Sequence, residues 1–419
     1  MTDYQVICVC GGIGFPIIGS AKRIINVGKA LQAAGIGFRV LHCGPSPVPS
    51  NTQTSGIYRG IPFEYTTWLR RPANTLLRLL VYLRAVAGLT WQLCRVRPMR
   101  RRTAVYLFVM EGPLVIYTGI LCRLLGIPLV QEMNEWFPAF RRSALLDWLY
   151  RRPIFSMATG MLVISKLIER RVQELSKTAN PRLSIHLLPS IVDSERFVTA
   201  LPVREDATET VPHFLWCGVS YTQDVLFLVR ALALANRAGH RCNLRIISAT
   251  FEDWTPRTIL DYAAEQGLPP DAIHFKVGLD DSALESCYKS AAAHLLPMWD
   301  DDKSRTRMPN KLAEYLASGR PVIASAVGDL ADFLVDGVNA YIGQPGNERD
   351  FANSMISVLQ DPIRANRIGE AGQRTCIERL DYRFQIGSLS KFFIRCIECG
   401  KKASRSLADR VPSTGSDVG

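Results

Sequence analysis

Lys311 and Glu314 are the side chains whose type and spacing first suggest chemistry, because both fall in one short predicted helix. Pro309 suits the start of that helix, and Gly319 suits a left-handed end. Residues three apart share a helix face, and we expect Leu312 to face the core on the other side. A carboxylate in these first turns can accept hydrogen bonds from a ribose whose phosphates lie near the helix N-terminus. The alternative is a solvated glutamate on a surface helix.

The predicted helix lies between two predicted strands. An apolar run at 291–296 precedes it, and Pro321 to Ser325 follow it as a second buried strand. In units of this kind, ligands bind where loops leave the carboxyl ends of the strands.

The stretch Ser318-Gly319-Arg320-Pro321-Val322-Ile323 comes four residues after Glu314. With Glu314, it resembles the donor-site signature of the retaining GT-B glycosyltransferases, glycosyltransferase family 4. The resemblance implies that Glu314 binds the ribose of a nucleotide-sugar. The family's other carboxylate, which contacts the sugar, falls at Thr306 here. Asp301 or Asp302 is our hypothesis for its replacement.

Length and composition predict two domains in a folded protein. The chain has 419 residues, 47% of them hydrophobic and 21% charged. Its eleven cysteines are scattered and often lie in apolar runs, which favours a reducing cytosol. The first residues lack a basic region before an apolar run, so we predict no signal peptide. Cys396 and Cys399 are the one close pair, and without a second pair we predict no metal site.

The positive charge is concentrated, with nine arginines and no acid between Tyr65 and Met110. Segment 68–102 also contains a helical apolar run and Trp91. It predicts either an ordinary domain helix with solvated arginines or a docking surface for an anionic membrane. No aromatic-interleaved basic repeat is present, so we predict no nucleic-acid partner.

A glycine loop follows the first predicted strand, with Gly12 and Gly14 before a helix at about 21–34. Such a loop lets backbone N–H groups approach an anion, although it is also consistent with a tight turn alone. The spacing is not that of a dinucleotide fingerprint. In the resembled family this loop contacts donor phosphate or acceptor.

Asn134 and Glu135 follow a predicted strand at 127–130, at the edge of the sheet where chemistry tends to occur. The carboxylates of Glu132 and Glu135 and the Asn134 amide, beside the aromatic rings of Trp136 and Phe137, suggest a sugar platform, and the alternative is a buried, salt-bridged glutamate. The resemblance implies that Asn134 and Glu135 carry acceptor and catalytic contacts.

A strand ending at Gly218 is predicted to begin the second domain. The family places an arginine and a lysine after this glycine to bind the donor diphosphate, and both are missing here. We expect Arg305 and Lys311 to supply that charge. A later phrase, 328–340, is similar to another family motif, with Asp332 in place of its glutamate.

The predicted fold is therefore α/β and GT-B, with two Rossmann-like domains facing across a cleft. We expect residues 1–198 to form the acceptor-side domain, closed by a C-terminal helix at 380–397. Residues 199–379 would form the donor domain and 400–419 a disordered tail. The predicted catalytic residues are Glu135, Asn134 and Lys311. The predicted donor-binding residues are Gly12, Gly14, Gly218, Arg305, Asn310, Lys311, Leu312, Glu314 and Asp332.

The predicted activity is retaining transfer of a sugar from a nucleotide-diphosphate sugar to a hydroxyl acceptor, without a metal or other cofactor. The expected acceptor is a lipid-linked or polysaccharide precursor, and the expected location is the cytoplasm, at the membrane face. One alternative is a catalytically degenerate protein that binds a nucleotide-sugar or a partner glycosyltransferase. Another is an epimerase or phosphorylase on the same scaffold.

Overall fold

The computed structural model describes residues 3–12, 15, 19–46, 51–108, 112–136, 154–200, 211–218, 222–248 and 255–408. Contacts divide the chain into two units. Unit 1 comprises residues 1–188 and 385–419, and unit 2 comprises residues 189–384.

Unit 1 is built on a largely parallel sheet. Its strands are β1 (Gln5–Cys10), β2 (Gly37–His42), β3 (Ser55–Tyr58), β4 (Ile61–Tyr65), β5 (Thr103–Phe108), β6 (Leu129–Met133), β7 (Gly160–Val163) and β8 (Ser184–Leu187). Its helices are α1 (Gly19–Ala33), α2 (Thr75–Val96), α3 (Pro113–Leu125) and α4 (Lys166–Ala179). A 3-10 turn, Arg97–Arg102, follows α2.

The strand order in this sheet is β3-β4-β2-β1-β5-β6-β7-β8, and β3 pairs antiparallel to β4. Strands β1 and β5 are fully buried or nearly so, as expected of central strands covered on both faces. Strands β2, β3 and β4 lie on one side of β1, and the chain then crosses to the other side of β1 to add β5 to β8. In open α/β sheets, that switch point at the carboxyl edge is where ligands bind.

Helix α13 (Ile386–Ala408) returns from the end of unit 2 to complete the core of unit 1. Phe393 packs edge-on against Tyr106 with ring centroids 5.9 Å apart, and Phe392 stacks on His186. Gly160 lets the helix approach, because a Cβ there would lie 2.5 Å from the Cys396 sulfur.

Unit 2 contains the second parallel sheet, β11-β10-β9-β12-β13-β14. Its strands are β9 (His213–Cys217), β10 (Asn243–Ser248), β11 (Ile273–Val277), β12 (Ala293–Leu296), β13 (Val322–Ser325) and β14 (Tyr341–Gly343). Its helices are α5 (Glu195–Thr199), α6 (Thr222–Arg237), α7 (Pro256–Glu265), α8 (Asp281–Ser290), α9 (Asp302–Thr306), α10 (Asn310–Ala317), α11 (Glu348–Gln360) and α12 (Pro362–Arg379). This is the 3-2-1-4-5-6 order of nucleotide-binding folds, with its switch point between β9 and β12.

The boundary between the units lies at 188/189 and not at the predicted 198/199. Residues after Leu188 belong with unit 2 because Val192 pairs with Asp381, and the Ser194 hydroxyl donates to the Asp381 carboxylate. Phe197 also stacks on Tyr288 in α8. The linker predicted from residue 199 onward falls largely on 201–210, outside the described residues.

The second boundary and the tail also differ from prediction. The closing helix begins at Ile386, after a 3-10 turn at Tyr382–Gln385, and not at residue 380. It continues to Ala408, so the first part of the predicted tail is helical, and residues 409–419 lie outside the described residues.

Candidate functional site

The carboxyl edge of the unit 2 sheet gathers most of the predicted donor-binding residues. At the switch point, β9 ends at Cys217 and Gly218, and β12 leads through Pro297 into the loop that carries Trp299. Gly218 has no room for a side chain, because a Cβ there would lie 2.6 Å from the Trp216 ring. Glycine is therefore required at this position by its packing against the Trp216 ring.

Helix α10 carries Lys311 and Glu314, and the structure brings these two side chains together. The Lys311 ammonium lies 3.2 Å from Oε2 of Glu314, and the same oxygen accepts a 3.2 Å hydrogen bond from the Tyr288 hydroxyl. Lys311 also donates to the Tyr288 oxygen at 3.1 Å. Glu314 is only 6% exposed, whereas the Lys311 side chain is 27% exposed. The predicted solvated alternative for Glu314 is therefore wrong.

The burial of Glu314 has a simple cause. Every residue from Leu312 to Ala317 in α10 is buried, so the helix has no fully solvated face at those positions. Pro309 forms the N-cap with extended backbone and is not the first helical residue, while Gly319 takes the predicted left-handed conformation at φ 76°.

The ionisation of the cluster follows from these contacts. Burial alone would lower the pKa of Lys311, but the nearby Cys217 thiol and the Glu314 carboxylate outweigh it, so the net pKa is raised. Burial raises the pKa of Tyr288 well above its usual value, and the neighbouring Cys217 and Glu314 add to that rise. Lys311 is thus cationic and Tyr288 a neutral donor at neutral pH.

Tyr315 connects this cluster to the switch point. Its hydroxyl oxygen accepts a 2.8 Å hydrogen bond from the backbone N–H of Cys217 at the end of β9. Its ring stacks on His294 with centroids 4.4 Å apart, and the His294 ring bonds to the Ser318 hydroxyl at 2.9 Å. Burial, with Arg320 and His213 nearby, lowers the pKa of His294 to about 3, so this ring is neutral.

A second buried carboxylate, Asp224, lies in the first turn of α6. The Trp299 indole N–H donates to Oδ1 of Asp224 at 2.8 Å and fixes the loop after β12 against this helix. Burial raises the pKa of Asp224. The family's two diphosphate cations fall within 219–224 of this sequence, where residues 219–221 lie outside the described residues and Thr222, Gln223 and Asp224 begin α6.

Arg305 is placed on the same edge but already has a partner. Its guanidinium makes two hydrogen bonds to Asp300, at 2.7 and 2.9 Å, and both side chains are exposed. Asp301 caps α9 by accepting from the Ser304 N–H. Of the three consecutive acids Asp300, Asp301 and Asp302, the first two therefore make structural contacts.

The remaining predicted donor residues of unit 2 differ in exposure. Asn310 is exposed at the start of α10, and its carbonyl accepts a 3.3 Å bond from the Ser190 hydroxyl. Leu312 is fully buried, as expected for a core side chain. Asp332 is exposed at the end of a 3-10 turn, Gly328–Asp332, and its carbonyl accepts from Arg379. Thr306 is buried and donates to the Lys303 carbonyl.

In unit 1 the glycine loop lies at the switch point between β1 and β5. Gly12 takes a left-handed φ of 72°, whereas Gly14 lies outside the described residues. A Cβ at Gly11 would lie 3.1 Å from the Cys43 carbonyl oxygen, so close packing also favours glycine in this loop.

Strand β6 is longer than predicted, and this separates the two carboxylates that follow residue 130. Glu132 is inside the strand and fully buried. Its carboxylate forms an ion pair with Arg23 at 2.9 Å and accepts a 2.5 Å hydrogen bond from the Tyr106 hydroxyl. The alternative of a buried, salt-bridged glutamate is therefore correct for Glu132. Asn134 and Glu135 are half-buried in the bend after β6, at the carboxyl edge.

Tyr288, Tyr315, Asp224 and Trp299 were not predicted as site residues. The spacing of Leu284 and Tyr288 gives a signal for a buried face on α8, but no local pattern connects Tyr288 to Glu314, 26 residues later. Within the described ranges, no three His, Cys, Asp or Glu side chains cluster closely enough to hold a metal ion.

Comparison with known proteins supports the predicted family. Residues 211–361 match the family model described as glycosyl transferases group 1. No curated protein matches the chain by sequence.

Solved structures resemble the chain over nearly its whole length. The Anabaena protein Alr3699/HepE, in complex with UDP and glucose, is 13% identical with a TM-score of 0.68, covering 97% of this chain and 100% of its own. Sucrose-phosphate synthase from Thermosynechococcus elongatus is 15% identical with a TM-score of 0.64, covering 97% and 100%. WaaG, a glycosyltransferase involved in lipopolysaccharide biosynthesis, is 15% identical with a TM-score of 0.61, covering 93% and 99%. The chain has the GT-B fold of these structures, and its residues 211–361 match the family model of the group 1 glycosyl transferases.

Proposed function

We propose that the protein is a retaining glycosyltransferase that uses a nucleotide-diphosphate sugar. The observation that carries the proposal is the Lys311–Glu314–Tyr288 cluster beside the β9/β12 switch point, within the segment that matches the group 1 glycosyl transferases. HepE was solved with UDP and with UDP-glucose, so a uridine donor is the first to test.

The two charged side chains have complementary roles in this proposal. The Glu314 carboxylate accepts hydrogen bonds from the ribose hydroxyls of the donor. The Lys311 ammonium, which is partly exposed, and the N-terminus of α10 offset the negative charge of the diphosphate. Because Lys311 already pairs with Glu314, the cluster is charge-balanced before the donor binds.

The proposed chemistry is group transfer with retention at the anomeric carbon. The bond from that carbon to the diphosphate oxygen breaks, and a bond to the acceptor oxygen forms on the same face of the sugar. The acceptor proton moves to the departing diphosphate, and no metal or other cofactor is proposed. Asn134 and Glu135 would orient the acceptor from the carboxyl edge of the unit 1 sheet.

We propose a lipid-linked or polysaccharide precursor as the acceptor, at the cytoplasmic face of a membrane. The arginine-rich segment 68–102 and the buried thiols of Cys8, Cys10 and Cys122 support this assignment.

Titration calorimetry with UDP and with GDP tests the donor site, followed by a donor screen read by product mass with membrane extract as acceptor. We expect binding of one nucleotide that Glu314→Gln weakens and Glu370→Gln, an exposed glutamate on α12 of the same unit, leaves unchanged. Product anomers then report retention or inversion. Binding of neither nucleotide would contradict the proposal.

One observation favours the degenerate binding protein as a second candidate. Arg305, proposed as a cation for the diphosphate, is held in a two-bond pair with Asp300. Nucleotide binding without transfer in the product-mass screen would select this candidate over the enzyme.

A further inference from the structure

Helix α2 contacts the rest of unit 1 along one narrow stripe. The buried residues follow one another at helical spacing and are Val81, Ala85, Leu89, Leu93 and Val96. Hydroxyls at the end of β4 anchor this stripe, since Thr67 donates to the Val81 carbonyl at 2.8 Å and Thr66 to the Ala85 carbonyl at 3.2 Å. The helix is thus firmly attached by one side.

The opposite side of α2 is apolar and exposed. Leu76 is 74% exposed, and Leu79, Leu80 and Leu83 are each about half exposed. A helix attached to a soluble domain by one stripe normally carries polar residues on its other face. Contiguous exposed leucines instead mark a surface that binds an apolar phase or partner.

Within the described residues, Thr75–Arg102 is long and apolar enough to cross a membrane, and only 22% of its apolar 18-residue stretch is buried. Low burial excludes an ordinary core helix. Its attachment to β4 along Val81 to Leu93 would have to be broken for the helix to span a bilayer. These contacts favour a helix that lies in the plane of the membrane.

The charges beside the leucines are all positive. Arg84 lies 5.1 Å from the ring of Trp68, and Arg95 lies 5.8 Å from the ring of Trp91. Both tryptophans are exposed, and arginine with tryptophan is typical of the head-group region of a membrane. Because no acid occurs between 65 and 110, the segment is complementary to an anionic surface.

A cavity of about 750 Å³ opens beside α2 at the carboxyl end of β4. Trp68, Arg70 and Arg84 line one part of it, and the polar backbone and side chains of Ser55 and Gly56 line another. The single carboxylate in its lining, Glu64, accepts a 2.8 Å bond from Gln92. The cavity therefore combines two guanidinium groups with an aromatic ring, which suits a phosphorylated head group.

We infer that α2 lies in the plane of an anionic bilayer with Leu76, Leu79, Leu80 and Leu83 inserted, and that the neighbouring cavity takes the phosphate head group of a lipid. This deepens the proposed function, because it names the membrane partner of the unit that carries Asn134 and Glu135. Vesicle binding needs no nucleotide, so the inference and the proposed donor chemistry fail separately.

Vesicle flotation of the full chain measures the binding. We expect flotation with vesicles of phosphatidylcholine plus phosphatidylglycerol, and little with phosphatidylcholine alone. Leu76→Glu with Leu80→Glu should weaken binding by about tenfold or more. Ile363→Glu is the matched control, because Ile363 is an apolar side chain on α12 with 69% exposure.

The orientation of the helix has its own readout. Leu76→Trp and the native Trp91 lie near opposite ends of α2, and lipids brominated at defined depths quench tryptophan according to its depth. An in-plane helix gives similar shallow depths at both positions, whereas a spanning helix gives one deep or opposite-leaflet position. A spanning result would overturn the in-plane assignment.

The cavity is tested separately with Ser55→Phe, which fills it from the exposed edge strand β3 and leaves α2 intact. We expect the wild-type chain to bind vesicles with phosphatidic acid more tightly than those with phosphatidylglycerol, and Ser55→Phe to lose that preference. Soluble glycerol phosphate should compete only weakly, because it lacks the inserted chains. Equal binding to neutral and anionic vesicles, or no effect of the leucine variants, would refute the inference.

Discussion

The two units each contain a buried cluster of one cation, one glutamate and one tyrosine, and the two clusters differ in their access to solvent. In unit 1, Arg23, Glu132 and Tyr106 are joined by bonds of 2.5 to 3.0 Å, and both charged side chains are 1% exposed. In unit 2, the bonds among Lys311, Glu314 and Tyr288 are 3.1 to 3.2 Å, and the lysine is 27% exposed.

The two carboxylates differ in the secondary-structure element on which they lie, a strand for Glu132 and a helix for Glu314. Glu132 lies in a strand inside a sheet, and Arg23 donates a further hydrogen bond of 2.8 Å to the Leu188 carbonyl, just after β8. Glu314 lies on a helix that starts at the carboxyl edge beside a topological switch point. A cluster of a cation, a glutamate and a tyrosine is therefore structural in one unit and a candidate ligand site in the other, and the exposure of the cation to solvent distinguishes the two.

Removing the cation of the unit 1 cluster should give the largest effect. Arg23→Ala leaves Glu132 buried without its ion pair, so we expect the free energy of unfolding to fall by about 3–5 kcal/mol. Urea unfolding followed by fluorescence measures this. Lys22→Ala, one residue earlier and half-exposed on α1, is the control and should change it little. Equal stability of Arg23→Ala and the wild type would show that this cluster is not structural.

The same type of change in unit 2 should affect ligand binding more than folding. Glu314→Gln removes a charge-assisted acceptor, so we expect UDP affinity to fall about ten- to a hundredfold. Since Lys311 keeps some access to water, the loss of stability should be smaller, about 1–3 kcal/mol. Calorimetry and urea unfolding on one preparation give both values. A large loss of stability with unchanged affinity would reverse our assignment of the two clusters.

The pH dependence of stability tests the role of the buried His294 ring, which stacks on Tyr315 next to the unit 2 cluster. His294 has a folded pKa lowered to about 3 by burial, so below pH 6.5 the unfolded chain binds a proton that the folded chain does not. Stability should therefore fall on acidification between pH 6.5 and 3, by about 1.4 kcal/mol per pH unit from this group. His294→Phe, which keeps a ring against Tyr315, should reduce that slope, and half-buried His240→Gln should not. An unchanged slope in His294→Phe would contradict the assignment.

The smallest effect is expected at the exposed edge of the site. Asp300→Asn releases Arg305 from its two-bond pair, so UDP affinity should rise about two- to threefold if Arg305 faces the diphosphate. Asp271→Asn is the matched control, because it releases Arg241 from an exposed pair elsewhere in unit 2. A rise in affinity for both variants would indicate a general charge effect and not a contact.

Much of the framework followed from local sequence pattern. Strands β9, β12 and β13 and helices α1 and α10 lie close to their predicted positions, because apolar runs between glycine and proline signals mark them clearly. The two parallel sheets confirm the predicted α/β class and, with the structural relatives, the GT-B fold.

The contacts within the site were less predictable, because they depend on residues distant in sequence. The predicted end of β6 at residue 130 left Glu132 and Glu135 looking equivalent, and only the partner Arg23, 109 residues away, distinguishes them. Tyr288 was likewise not predicted as a partner of Glu314, because the two residues are 26 positions apart. The prediction of Leu312 as a ligand contact is unsupported, since helix spacing already placed it toward the core.

The return of α13 to unit 1 has a consequence for biosynthesis. The first 188 residues emerge from the ribosome before α13 is made. Phe392, Phe393 and Cys396 of that helix pack against the sheet of unit 1 in the folded protein. At about 5–20 residues per second, the intervening unit delays that helix by roughly 10–40 s. During this interval the nascent amino-terminal half exposes an incomplete apolar surface, so it is the half for which a chaperone would matter during translation.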